Sequence, residues 1–260
     1  MSKCLVTKLK ASVNNPDLPI FGAVEITLTP GHVPSVKGSI KTCAGQSATL
    51  LFSDGTKVEI NETKDYNFGD ITTPTKVLFI SKYEAFPTSG STHHFTATFN
   101  VDDFKNTSLN IPRFHFDLGS VIGNIENLGS HPELTEIYLN GNENLTGDLA
   151  NLTRLFPNLT VLNIIGSSIG GNIAECGKWN LTTLCFSDTT TGNIYDAIVG
   201  WRTKKENNEL NVLAAGNNVK LFDTVLPDAK MCNLTWTDTT ASVEIDGVTI
   251  TYDNNGNVIS

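Results

Sequence analysis

The groups in this chain that could hold a metal or activate a nucleophile are five histidines, five cysteines and scattered carboxylates. His93 and His94 flank a strand-prone stretch, and adjacent strand side chains point to opposite faces, so one ion cannot take both. His32, His115 and His131 stand apart, with His115 expected at an exposed strand edge. Cys4, Cys43, Cys176, Cys185 and Cys232 are odd in number and form no C-x-x-C pair. Neither a zinc site nor a disulfide framework is therefore expected, but free and mostly buried thiols. Asp102-Asp103 and Asp188 lack the spacing of a calcium loop. The chain carries no Gly-x-Ser-x-Gly elbow, phosphate loop, dinucleotide fingerprint or zinc-protease helix. The expectation is a protein without catalytic residues, metal or cofactor.

Five Asn-Leu-Thr tripeptides, at Asn144, Asn151, Asn158, Asn180 and Asn233, match glycosylation acceptors. Four of them set Leu at or near a core position of a repeat, which accounts for the tripeptide without sugar. What remains is a surface. On short parallel strands, alternate residues share one face, here Arg113, His115, Glu136, Tyr138, Val161, Asn163, Thr183, Cys185, Val212, Ala214, Asn233 and Thr235. At about 4.8 Å per strand, six strands make a face roughly 24 Å across. The binding set expected there is Arg113, His115, Glu136, Tyr138, Asn163 and Thr183. Of these, Arg113 and Tyr138 are the types that dominate binding hot spots.

The elements that would position this face are repeats of L-x-x-L-x-L-x-x-N type. The clearest copy is Leu134, Ile137, Leu139 and Asn142, whose Asn side chain is expected to bond backbone in the turn. Aligned with it are Leu159, Leu162, Ile164 with Ser167, and Leu181, Leu184, Phe186 with Thr189. Further copies are Leu210, Leu213, Ala215 with Asn218; Met231, Leu234, Trp236 with Thr239; and Ile111, Phe114, Phe116 with Gly119. Starts at 111, 134, 159, 181, 210 and 231 give spacings of 23, 25, 22, 29 and 21. A second marker keeps the same phase: Gly123-Asn124-Ile125, Gly147-Asp148-Leu149, Gly171-Asn172-Ile173 and Gly192-Asn193-Ile194. Residues 192–210 are long enough for a helix with Ile194, Ile198 and Trp201 on one face, and 149–156 for a shorter one closed by Pro157.

The fold class expected is α/β to mainly β. Residues 1–110 form an antiparallel β region, 111–240 an irregular leucine-rich-repeat solenoid, and 241–260 a capping hairpin about Asp246-Gly247. Within 1–110, strands are expected at 23–29, 48–52, 57–61, 76–81 and 94–101, with a hairpin turn at Ser53-Asp54-Gly55. Phe68-Gly69-Asp70-Ile71 echoes the marker and places one further degenerate repeat before 111.

Eighteen basic against twenty-seven acidic residues give a net charge of −9. Phosphate neutralisation needs clustered Lys and Arg, so nucleic acid is not an expected partner. No apolar run approaches the roughly 18 residues that cross a bilayer, and the N-terminus has no signal-peptide pattern.

The opening Cys4-Leu5-Val6-Thr7-Lys8-Leu9-Lys10-Ala11-Ser12-Val13-Asn14-Asn15, with Leu18-Pro19 and Gly22, resembles the N-terminal stretch of virion proteins from phages and prophages of Bacteroides-type hosts, including crAss-like phages. The resemblance covers about the first 25 residues. It implies a shared attachment segment, Cys4 to Lys10 at its heart, ahead of a variable module. The alternation of Leu5, Thr7 and Leu9 also suits a strand added to a partner's sheet. The expected role is a virion structural protein, a head fibre or capsid decoration component made in the host cytoplasm. Its expected partners are other capsid or tail proteins, a host surface protein or glycan, and further copies of itself through an edge strand or end cap. The alternatives are a tail-associated receptor-binding fibre and a bacterial leucine-rich surface adhesin.

Overall fold

The computed structural model describes residues 22–30, 38–40, 48–60, 66–69, 71–81, 98–105, 113–116, 121–192, 194–202, 209–214, 219–221, 224–226, 230–237, 239–245 and 247–260. The chain is a mixed α/β protein made mostly of strands, in several sheets both parallel and antiparallel. It divides into two compact units, residues 1–131 and 132–260.

In the first unit, alternation builds an antiparallel sheet. Strands β1 (Gly22–Leu28), β3 (Ala48–Phe52), β4 (Lys57–Ile60) and β6 (Thr75–Ser81) lie in the order β1-β6-β3-β4, while β2 (Gly38–Ile40) pairs with β5 (Tyr66–Gly69). Val24, Ile26 and Leu28 are buried and Glu25 between them is exposed, the period of two that one covered face requires. The expected hairpin turn closes β3 onto β4: Gly55 takes φ +90°, and the Asp54 carboxylate accepts from the Thr56 N–H at 2.8 Å. That bond holds the Asp54 carboxyl below its usual range.

The stretch expected as a strand at 94–101 is described only from Thr98. It gives a two-residue strand, β7 (Phe99–Asn100), and then a 3-10 helix, Val101–Phe104. Asn100 ends the strand because its side chain accepts from the Asp102 N–H at 2.9 Å, a helix N-cap. Strands β8 (Arg113–His115) and β9 (Val121–Asn124) follow, and β9 runs parallel to β7. A repeat-like turn thus precedes 111, but at Asn100. Phe68-Gly69 lies instead in an antiparallel strand. The core here is a cluster of phenylalanines 99, 104, 114 and 116, with edge or tilted contacts at 4.9–5.7 Å. Such ring pairs each contribute about 0.5–1.5 kcal/mol beyond area burial.

The second unit has two parallel ladders. One holds β10 (Glu136–Tyr138), β12 (Val161–Asn163), β14 (Thr183–Phe186) and β16 (Glu209–Ala214) as successive neighbours. The other holds β11 (Leu145–Asp148), β13 (Ser168–Asn172) and β15 (Thr190–Thr191). Between strands run α1 (Leu149–Leu155), a 3-10 helix (Ile173–Lys178) and α2 (Ile194–Arg202). β17 (Val219–Leu221) and β18 (Thr224–Leu226) pair as a small antiparallel ribbon. Leu134, Ile137, Leu139, Leu159, Leu162 and Ile164 are all 0 % exposed, so the leucine spacing marks the core. Asn142 and Ser167 donate to the carbonyls three residues back, Leu139 at 2.9 Å and Ile164 at 2.7 Å, the turn bond expected of them. Thr189 departs from this and reaches Ile169 O on the preceding strand of its ladder.

Two expectations are corrected here. Register sets Leu184 opposite Val212, not Leu213, so the fifth copy begins one residue earlier than 210. The copy at 231 is not parallel: β19 (Lys230–Trp236) runs antiparallel to β16, and β20 (Thr240–Ile245) and β21 (Val248–Asp253) continue the meander. A parallel partner needs a crossover of a dozen or more residues. Here the intervening chain contains its own ribbon, β17–β18. The expected closing hairpin pairs Ile245 with Val248, and Gly247 takes φ +78°.

Candidate binding face

The short strands of the first ladder alternate cleanly. Glu136 and Tyr138 flank buried Ile137, and Val161 and Asn163 flank buried Leu162. Register then sets Glu136, Val161 and Thr183 in one row, and Tyr138, Asn163 and Cys185 in the next. Four members of the expected binding set, Glu136, Tyr138, Asn163 and Thr183, therefore stand half-buried on three adjacent strands of one face. Backbone register carries on from Thr183 to Asn211, Asn211 to Asn233, Asn233 to Glu244 and Glu244 to Thr249.

The remaining expected members are each described in their own strand. Arg113 is half-buried on β8 in the first unit. His115 is not an exposed edge residue: it is 6 % exposed, because β8 is covered on both sides at Phe114 and His115. Cys185 is 0 % exposed, since β14 is buried at three successive positions. Backbone register sets Val212 opposite Leu184, with Asn211 opposite Thr183 and Leu213 opposite Cys185, one residue off the expected pairing of Val212 and Ala214 with the face. Cys4 to Lys10, with His32, His93 and His94, lie outside the described residues.

The backing of this face explains the glycine marker. Asn124, Asp148 and Asn172 each accept from the N–H two residues on, at 2.9, 2.8 and 2.9 Å, and so start the next helical turn. The glycine one turn later lies against that cap. A Cβ on Gly123 would strike the Asn100 carboxamide, and one on Gly192 would strike that of Asn172. On Gly171 it would lie 3.3 Å from the Asp148 carboxylate and 3.1 Å from Leu149 N. These three glycines also hold φ between +89° and +109°, a region that costs other residues energy.

Sequence reasoning missed a second backing ladder. Trp179 Nε1 donates to Phe156 O at 2.7 Å and Trp201 Nε1 to Cys176 O at 3.1 Å, both buried. Each tryptophan ties one helical segment to the one before it. Trp201 also stacks on Trp236, centroids 6.2 Å apart. Arg202 clamps the same corner: it donates to Thr240 O at 2.9 Å, to Thr237 O, to Tyr195 Oη at 3.0 Å and to Asn254 Oδ1 at 3.0 Å. Trp201 was visible in the sequence on the apolar face of its helix with Ile194 and Ile198, but its hydrogen bond was not.

Chemically the described face offers a carboxylate, a phenol, a carboxamide and a hydroxyl, from Glu136, Tyr138, Asn163 and Thr183, the inventory for hydrogen bonding to a polar partner. Among the described residues no three His, Cys, Asp or Glu side chains converge to hold a metal. Burial pushes the Cys176 thiol well up, which keeps it protonated and a poor nucleophile. No described helix is long and apolar enough to cross a membrane. No protein-family model, curated protein or solved structure matches the chain.

Proposed function

We propose that this is a non-enzymatic virion structural protein, a head fibre or capsid decoration component. In this reading a leucine-rich-repeat solenoid presents its strand face for assembly or for contact with a host surface protein or glycan, and residues 1–110 anchor the chain. The observation that carries the binding role is the in-register face of Glu136, Tyr138, Asn163 and Thr183. Buried leucines and a ladder of side-chain caps hold that face rigid. Rigid presentation lowers the ordering cost of binding. Support for the particle is the likeness of Cys4 to Asn15 to phage virion openings. The net charge of −9 fits a protein partner better than a nucleic acid.

Mass spectrometry of purified phage particles is the direct test, with the chain expected at many copies per particle. Its absence refutes the particle role. Gold labelling on tails instead of heads moves the chain to a receptor-binding fibre, and recovery from the surface of uninfected cells makes it an adhesin. For the face, Tyr138→Ala is expected to weaken particle assembly or host adsorption about tenfold or more, as for an aromatic hot spot.

A further inference from the structure

We infer that residues 254–260 are a displaceable strap over an edge strand, and that strap release lets β21 pair with the β21 of a second copy. The edge is real in the topology: β21 ends its sheet, bonded to β20 on one side. On the other side the strap doubles back. Thr251 N donates to Ser260 O at 2.7 Å, Asp253 N to Asn257 O at 2.9 Å, and Ile259 N to Thr251 O at 2.8 Å. The turn is held by the Asp253 carboxylate, which accepts from Asn255 N, Asn257 N and Asn257 Nδ2 at 2.8–2.9 Å.

The strap brings almost no apolar burial. Val258 is 63 % and Ile259 55 % exposed. Beyond the Arg202 bond to Asn254 Oδ1 at its root and the Asp253 turn, its attachment is backbone hydrogen bonds in water, each of small net worth against the entropy of ordering the segment. Such a segment opens at low cost relative to the sheet beneath it. Outward-bonding positions alternate along an antiparallel strand, so after Thr251 and Asp253 the next is Thr249, whose N–H makes no bond to another described residue.

The exposed edge is self-complementary. A two-fold pairing centred on Thr251 sets Thr251 opposite its own copy and Thr249 opposite Asp253, so no like charges meet. Half-buried Ile250 falls opposite Tyr252 on the other side of the ribbon. Val248, 61 % exposed at the strand end, lies on that same side and gains cover. Two-fold pairing of identical edges is a common route to a dimer. This inference does not rest on the virion reading.

The test is sedimentation of the full chain over a range of concentration, with two variants. Ile259→Pro removes the N–H given to Thr251 and is expected to tighten self-association about tenfold or more, the scale of one lost bond. Adding Thr249→Pro, whose N–H serves no bond among the described residues, is expected to return the wild-type behaviour. Should Ile259→Pro disturb folding, amide exchange of the wild-type chain decides: Thr249 is expected to exchange more slowly as concentration rises. Ile259→Pro that stays monomeric while the Thr251 amide exchanges faster overturns the inference. So does association that Thr249→Pro leaves intact, or protection of Thr249 by an unrelated extended peptide without self-association.

Discussion

Gly200 sits in the interior of α2, where replacing glycine by alanine ordinarily stabilises a helix by about 1 kcal/mol. The opposite is expected here. A Cβ at Gly200 would lie 2.7 Å from the Cα of Gly177 and 2.9 Å from its carbonyl carbon and oxygen, all backbone atoms. Relaxed carbon contacts lie at roughly 3.5–4.0 Å, so α2 would have to back away from the 3-10 helix by about 1 Å. That movement stretches the 3.1 Å bond from Trp201 Nε1 to Cys176 O. Overpacking costs about 1–3 kcal/mol and the strained bond about 1 kcal/mol. After the helix gain is subtracted, Gly200→Ala should destabilise by about 1–3 kcal/mol. Urea unfolding followed by tryptophan fluorescence reads this directly, because Trp179 and Trp201 lie on either side of the crossing. Val199→Ala, at a position 46 % exposed on the same helix, is the control and should change little. Gly177→Ala should repeat the loss, its Cβ meeting Ala197 O at 2.8 Å and Gly200 Cα at 3.0 Å. The double variant should cost less than the sum, since one separation serves both. A Gly200→Ala chain as stable as wild type, or more so, refutes the close crossing.

Other outcomes follow from the same contacts. Trp179→Phe keeps most of the ring but leaves Phe156 O only the longer bond from Leu159 N–H at 3.4 Å, a loss of about 1 kcal/mol in urea unfolding. Gly123→Ala meets both φ +103° and the Asn100 carboxamide; it should destabilise by about 1–3 kcal/mol, and Asn100→Ala in the same chain should relieve part of it. Asp103 gives a pH effect. Burial raises its carboxyl pKa against the opposing bond from Thr27 N–H at 2.7 Å. A raised carboxyl pKa means the folded chain binds the proton more tightly, so this group's contribution falls as pH rises from 3.8 through the folded value. Asp103→Asn is expected to be at least as stable as wild type at neutral pH, with the advantage vanishing below that window. Denaturant titrations at several pH values check it. Asp54 and Asp253 carry the opposite sign: their lowered pKa values favour folding above 3.8, and that contribution is lost as pH falls through the folded values.

Much of the second unit was legible in the sequence because burial imposes period. Leu134, Ile137 and Leu139 recur at 159, 162 and 164, and all six are fully buried. The marker glycines were visible as a phase, and the structure supplies their cause in the caps beneath them. Strand direction was not legible. Met231, Leu234 and Trp236 keep the repeat spacing, yet a two-residue period reads the same in either direction, and β19 is antiparallel. The fifth strand slipped by one for a related reason. Leu210 and Leu213 match the template, Glu209 and Val212 match it less well, and a one-residue shift exchanges the two faces. At the face, alternation located Glu136, Tyr138, Asn163 and Thr183, but it misplaced His115 and Cys185. Their strands are buried at successive residues, and alternation holds only where one side meets solvent.

The cap beneath the marker glycines 123, 171 and 192 fixes how such a chain can change length. Asn172 fills the space that a Cβ on Gly192 would take, as Asn100 does beneath Gly123. A single inserted residue between cap and glycine would bring a side chain against the carboxamide and turn core leucines outward. In the repeat solenoid proposed above, an insertion of one whole turn, about 21 to 29 residues on the spacings in the sequence, would repeat both partners. Length in such a solenoid is quantised, and viable relatives of a chain built that way should differ from it by complete turns.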